Sequence, residues 1–231
     1  MKKLGLVGGM SWVSTVDYYR FINEGINAKL GGLNYAECII YSVNFNAFVT
    51  NNTAGKWDGT FQILLDACRN LEKAGAEGIV LCANTAHAVA DRLETEINLP
   101  IIHIVTATAL AIHEKGLRKV GLLGTKFTME MDFYKDKLVS LGIEPVIPST
   151  QESRDFIQNT LRDELGKGII LEKTKKEYLA IIDELIGDGA EGIILGCTEI
   201  PMIIGQEDVP VPVFDTTKIH SDAAVAFALA E

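Results

Sequence analysis

Two of the four cysteines, Cys82 and Cys197, stand where a sulfur could do acid–base work. Each closes an apolar run, Ile79-Val80-Leu81 in one case and Ile193-Ile194-Leu195-Gly196 in the other, and small polar residues follow. A thiol at such a strand-to-helix turn sits beside backbone N–H groups and the positive end of a helix. Both lower its pKa from about 8.5 and favour the thiolate. Asn84, Thr85 and Thr198 suit helix N-caps and can offer N–H and hydroxyl groups to a carboxylate. A thiolate facing a thiol across a carbon acid can take a proton from one face and return one to the other. Cys38 and Cys68 lack this setting and are expected only to pack. None of the four forms a CxxC pair, so free thiols in a reducing compartment are expected, with no disulfide and no zinc.

The elements that must position these residues follow from hydrophobic patterning. Apolar runs at 3–8, 37–43, 77–82, 101–104, 119–124, 143–147, 191–196 and 212–214 read as strands. Between them, stretches such as 61–74 and 174–187 carry apolar residues at helical spacing, for example Ile63, Leu64, Ala67, Leu71 and Ala74. Strands alternating with helices predict parallel sheets covered by helices. The chain also repeats itself. Lys3-Leu-Gly-Leu-Val-Gly-Gly matches Lys119-Val-Gly-Leu-Leu-Gly-Thr, Gly75-Ala-Glu-Gly matches Gly189-Ala-Glu-Gly, and Pro100-Ile-Ile-His103 matches Pro212-Val-Phe-Asp215. The expected fold is therefore α/β, with two pseudo-symmetric three-layer domains, mostly parallel sheets and an active-site cleft between the domains. Residues 1–104 with 210–231 would form one lobe, and 105–209 the other. Ligands of open α/β sheets bind beyond the carboxyl ends of the strands. That rule selects Gly8-Gly9-Met10-Ser11 with Gly124-Thr125, Cys82 with Gly196-Cys197, and His103 with Asp215. By the duplication the two thiols differ by one residue in register.

Composition narrows the partners. The 231 residues carry a formal charge of −10, which disfavours nucleic acid and anionic membranes. The run Leu4 to Val7 after Lys2-Lys3 is too short for a signal peptide or a membrane span, so a cytoplasmic protein is expected. A small anionic substrate would need a locally positive pocket.

Taken together, Gly8-Gly-Met-Ser, Cys82-Ala-Asn-Thr-Ala-His87, Leu122-Leu-Gly-Thr with Thr128-Met129, Gly196-Cys-Thr-Glu-Ile-Pro201 and Asp215-Thr-Thr-Lys-Ile-His220 resemble the aspartate/glutamate racemase family. Glu199 after Cys-Thr places the resemblance in the aspartate racemase branch, since glutamate racemases usually carry histidine there. The resemblance implies no pyridoxal phosphate, no metal, a homodimer, a small amino-acid substrate, and a cysteine pair exchanging a proton at Cα. It further implies Cys82 as base for the D-form and Cys197 for the L-form. Substrate contacts are expected from Gly9, Met10, Asn84, Thr85, Thr125, Lys167, Thr198 and Glu199. Lys167 reads equally well as a substrate-carboxylate ligand and as a solvated lysine at a helix end. The Gly8-Gly9 turn reads equally as a plain βα turn and as a backbone donor to the ligand. His87, His103 and His220 are expected to hold loops by hydrogen bonds. Residues 44–56 contain no arginine, where aspartate racemases often carry one, which widens the expected substrates beyond aspartate and glutamate.

The rivals on this scaffold are hydantoin racemisation, maleate isomerisation and arylmalonate decarboxylation, the last of which typically keeps one thiol. A two-lobed small-molecule binding protein would leave the cysteines idle. Gly5-x-x-Gly8-Gly9 is not a dinucleotide fingerprint.

Overall fold

The apolar runs become eight short parallel strands in two separate sheets of a computed structural model that describes Met1–Ala230. The first sheet has the order β2 (Cys38–Ser42), β1 (Leu4–Gly8), β3 (Gly78–Leu81), β4 (Ile101–Ile102). The second repeats that order as β6 (Glu144–Val146), β5 (Lys119–Gly124), β7 (Ile193–Gly196), β8 (Val213–Asp215). Ten α-helices connect them: α1 (Trp12–Leu30), α2 (Phe45–Thr53), α3 (Trp57–Lys73), α4 (Ala90–Glu94), α5 (Ile104–Glu114), α6 (Lys126–Glu130), α7 (Asp132–Ser140), α8 (Gln151–Asp163), α9 (Glu172–Gly187) and α10 (Thr216–Leu229). The central strand β1 is buried along its whole length, as a parallel strand covered on both faces must be.

The chain divides into two compact units, one of Met1–Ile104 with the chain from Thr217 onward, the other of Val105–Thr216. The segment 210–216, expected from the sequence to join residues 1–104, instead carries β8 into the second sheet beside β7. In the first unit, α3 lays Leu64, Ala67, Cys68 and Leu71 against Val7, Ile79 and Leu81 on one sheet face. On the other face, Tyr18, Ile22 and Ile26 of α1 and Ala224, Val225 and Ala228 of α10 meet Leu4, Leu6 and Val80. In the second unit, Tyr178, Ile181, Ile182 and Leu185 of α9 pack with Leu123, Ile193 and Leu195.

The repeated Gly-Ala-Glu-Gly segments perform the same task twice. Gly75 and Gly189 take φ of 90° and 93°, a region open to glycine, to turn the chain out of α3 and α9. Glu77 then accepts the Lys3 N–H at 2.7 Å while its own N–H donates to the Lys3 carbonyl at 2.8 Å. Glu191 repeats both contacts with Lys119, at 3.0 and 2.8 Å. These bonds set the register of β3 on β1 and of β7 on β5, and the two registers correspond: Gly5 pairs with Ile79, and Gly121 with Ile193.

Two buried histidines pin the end of β4. The Nδ1 of His87 donates to the Ala83 carbonyl at 3.0 Å and its Nε2 accepts the Ile104 N–H at 3.2 Å, which fixes one neutral tautomer. His220 donates from Nε2 to the Ile102 carbonyl at 2.5 Å and accepts the Tyr18 hydroxyl at 2.8 Å on Nδ1. Burial drives the pKa of His87 well down and that of His220 to about 4, with the nearby His103 adding to both shifts. A folded pKa below the unfolded value of about 6.5 stabilises the fold fully above that pH, and the stabilisation is lost as pH falls towards the folded value. His220 alone should cost about 2 kcal/mol between pH 7.5 and pH 5. Urea unfolding at the two pH values should show the loss, and His220→Gln should flatten the slope. Equal slopes in wild type and variant would contradict this reading.

Candidate active site

In an open sheet of order 2-1-3-4 the chain reverses its direction of winding between strands 1 and 3, and loops leave a crevice at their carboxyl ends. This places Gly8-Gly9-Met10 beside Cys82-Ala83-Asn84 in the first unit. It places Gly124-Thr125 beside Cys197-Thr198-Glu199 in the second.

In the first unit the turn after β1 is tightly built. Gly9 has φ of 84°, and a Cβ on it would lie 2.4 Å from the Val43 carbonyl oxygen, so only glycine fits. Its N–H donates to Thr15 Oγ1 at 2.8 Å, and that hydroxyl donates to the Ser11 carbonyl at 2.9 Å. The Gly9 amide is thus engaged inside the turn, and the plain βα turn is the better of its two readings. Thr15, one turn into α1, is a residue the sequence reading missed. Nothing but its closeness to the glycines could have flagged it. The Met10 side chain is buried among Val7, Phe48 and Leu64. Asn84 and Thr85 are buried at the start of a five-residue 3-10 turn, Thr85–Val89, and the Asn84 side chain makes no capping hydrogen bond, contrary to the cap expected.

Cys82 does not point where the sequence reading put it. It is 0% exposed and packs with Leu6, Val80, Tyr18, Ile22 and Ala224, on the sheet face covered by α1 and α10. Its Sγ faces the Val80 carbonyl at 3.7 Å. Ala83, the next residue, belongs to the opposite face with Ile79 and Leu81.

The second unit offers a different thiol. Cys197 is partly exposed and packs beside Ile193 and Leu195. Its Sγ–H donates to Glu199 Oε2 at 2.9 Å, and the Thr198 hydroxyl donates to the same oxygen at 2.8 Å. Thr216, at the start of α10, ties to the Leu195 carbonyl at 2.8 Å just before this turn. Thr125 caps α6 by accepting the Thr128 N–H at 3.2 Å. The loop is braced behind it by Lys126, whose N–H donates to Gln158 at 2.9 Å and whose ammonium pairs with Asp155 at 2.7 Å. Lys167 stands apart from the strand ends, on a 3-10 turn between α8 and α9, exposed and 3.9 Å from Asp163.

The expected depression of the thiol pKa values is also corrected. The turns after the two cysteines are 3-10 segments of five and three residues, too short to present much dipole. Burial instead pushes Cys82 up, helped by nearby Cys38. Burial pushes Cys197 well up too, and the charge and hydrogen bond of Glu199 add to it. Both rest as thiols. Among the described residues no group of three His, Cys, Asp or Glu side chains is placed to hold a metal.

Comparison with known proteins gives this geometry a context. The family model described as Asp/Glu/Hydantoin racemase matches residues 7–224. A crystal structure of a putative Asp/Glu racemase from Yersinia pestis is 46% identical over the full length of both chains, with a TM-score of 0.94. An aspartate racemase homologue from Pyrococcus horikoshii OT3 is 41% identical, again over both full chains, with a TM-score of 0.87. The broad specificity amino-acid racemase RacX of Bacillus subtilis (strain 168) is 24% identical over 98% of each chain.

The Glu199 contact has a measurable consequence. Glu199→Gln removes the charge that helps hold Cys197 protonated, so the pH midpoint for alkylation of Cys197 by iodoacetamide should fall. At pH 7 the rate should rise about tenfold for each pKa unit recovered. An unchanged or higher midpoint would show that Glu199 does not control this thiol.

Proposed function

The chain belongs to the Asp/Glu/Hydantoin racemase family, a family of isomerases, and we propose that it interconverts the enantiomers of a free amino acid by proton transfer at Cα, without pyridoxal phosphate or metal. The observation that carries this reading is the Cys197–Glu199 hydrogen bond at a strand end of the second unit. Removing a Cα proton needs a thiolate, and Cys197 rests as a thiol. Glu199, within hydrogen-bond reach of the sulfur, can accept that proton as the sulfur takes the one from Cα, then return it. Glu199 is in this sense a positioning residue.

The negative charge that develops on the substrate carboxylate needs preorganised donors. Thr125 and Thr198, at strand ends of the second unit beside Cys197, support such a role; Asn84 and Thr85 stand at the matching strand end of the first unit. Of the two thiols expected to share the chemistry, Cys197 meets the requirements of partial exposure and a proton acceptor. Cys82, closed in an apolar layer, meets neither. Substrate class follows the relatives: aspartate or glutamate, or a broader set. The absence of arginine from residues 44–56 favours the broader set, because a neutral amide cannot replace a bidentate guanidinium.

Self-association is part of the reading. Trp12, Val16 and Tyr19 form an exposed apolar stripe on α1, with Trp12 70% exposed, and a second copy of the chain would cover it in a homodimer. A cytoplasmic setting is supported by four unpaired cysteines. No helix among the described residues is long and apolar enough to cross a membrane.

A panel of L- and D-amino acids in D₂O, followed by proton NMR, tests the reaction: the Cα–H signal of a substrate should disappear. Cys197→Ala should lower the exchange rate about 10²–10⁴-fold. Activity that vanishes on dialysis against EDTA, or returns only with pyridoxal phosphate, would overturn the cofactor-independent reading. Light scattering should give twice the chain mass, and Trp12→Glu should halve it; a monomeric wild type would remove the dimer from the account.

A further inference from the structure

The two units are built on one register, and that register does not pair Cys82 with Cys197. On the first sheet Val7 lies beside Leu81, and on the second Leu123 lies beside Leu195. One step on, Cys82 corresponds to Gly196, and Ala83 corresponds to Cys197. The side chains agree with the strands. Ala83 shares a face with Ile79 and Leu81, and Cys197 packs with Ile193 and Leu195, whereas Cys82 shares the other face with Val80. Cys82 and Ala83 lie just past the end of β3, and their side chains pack in the layers on opposite faces of the sheet. The second unit has no room for a side chain at the position of Cys82. A Cβ on Gly196 would sit 2.7 Å from the Leu123 carbonyl oxygen.

We infer that this protein works with one acid–base thiol, Cys197, and that Ala83 stands in the first unit at the position that Cys197 holds in the second, so that Cα–H exchange of one enantiomer outruns its inversion. The inference rests on the proposed proton transfer at Cα. In the forward step the Cys197 sulfur, having passed its proton to Glu199, takes the proton from Cα and leaves an enediolate. In D₂O the thiol exchanges with solvent, and return of a deuteron from the same sulfur restores the original configuration. Inversion requires a proton on the opposite face. With no second acid–base thiol a water must supply it, and the hydroxide left behind takes up the proton that Glu199 still holds, which restores water and the Glu199 carboxylate. Losing a positioned general acid typically costs about 10²–10⁴-fold, and the ratio of exchange to inversion should be of that order.

The test compares three proteins on the substrate that exchanges fastest, reading exchange by proton NMR and inversion by chiral chromatography. Wild type should exchange about 10²-fold or more faster than it inverts. Ala83→Cys should raise inversion and bring the ratio towards one. Cys82→Ala should leave both rates near wild type. A wild type that inverts as fast as it exchanges, or a Cys82→Ala variant that loses both activities while still folded, would overturn the inference. Should Ala83→Cys not fold, the wild-type ratio and Cys82→Ala still decide. If no amino acid exchanges in any of the three, the proposed reaction is wrong and the thiol assignment is judged separately by alkylation. Iodoacetamide should modify the introduced thiol in native Ala83→Cys and leave Cys82 untouched. Modification of Cys82 first would overturn it.

Discussion

The chemistry this chain can do depends on how β3 and β7 are hydrogen-bonded to β1 and β5. The Cys82 N–H donates to the Val7 carbonyl at 3.0 Å, the last rung of a ladder that the Glu77 contacts with Lys3 begin. The turn just past that rung decides which of two consecutive residues faces the helices α1 and α10 and which faces α3. In the first unit it puts sulfur into the first of these layers and a methyl group into the second. In the second unit the same ladder gives glycine and then cysteine. A single residue of offset between two otherwise matching copies thus separates a core thiol from a candidate acid–base group.

Burial and charge then set the state of that group. A thiol beside a carboxylate is harder to ionise, and Cys197 is both partly enclosed and bonded to Glu199. Instead of a standing thiolate, the turn offers a sulfur and an acceptor that hold one proton between them. Such a pair need not expose a charged nucleophile to solvent before substrate arrives, and the proton stays within hydrogen-bond reach throughout. The bonds from Thr198 to Glu199, from Thr216 to Leu195 and within the Lys126–Asp155–Gln158 brace restrict the surrounding loops. Precise placement of the groups is thereby left to rigid backbone.

Much of the fold was legible in the sequence because it rests on local patterns. All eight expected strands form, since apolar runs bounded by glycine leave few alternatives. The Gly75 and Gly189 repeats are visible as repeats because positive φ and the Glu77 and Glu191 contacts require those residues in that order. The strand ends were legible in the sequence, but the face each side chain takes there was not. Gly9 and Asn84 stand at strand ends of the first unit, and Thr125, Cys197 and Glu199 at strand ends of the second, yet the face taken by Cys82 depends on pairing with a strand more than seventy residues away. The thiol pKa values were misread for a related reason. Helix dipoles can be guessed from the order of residues, whereas burial and the reach of the Glu199 carboxylate belong to the folded chain. The place of residues 210–216 was hidden too, because pairing with β7 sets it and composition does not.

The most direct test of this account is a pH titration of protein labelled with [β-¹³C]cysteine, in which each Cβ resonance reports the state of its own sulfur. The Cys82 resonance should stay at its thiol position as long as the fold persists and should not move when an amino-acid substrate is added. The Cys197 resonance should titrate above the range of an ordinary cysteine and should shift on adding substrate. A Cys82 resonance that titrates near neutrality and responds to substrate would contradict the account, because it would put the sulfur on the face that the strand register assigns to Ala83.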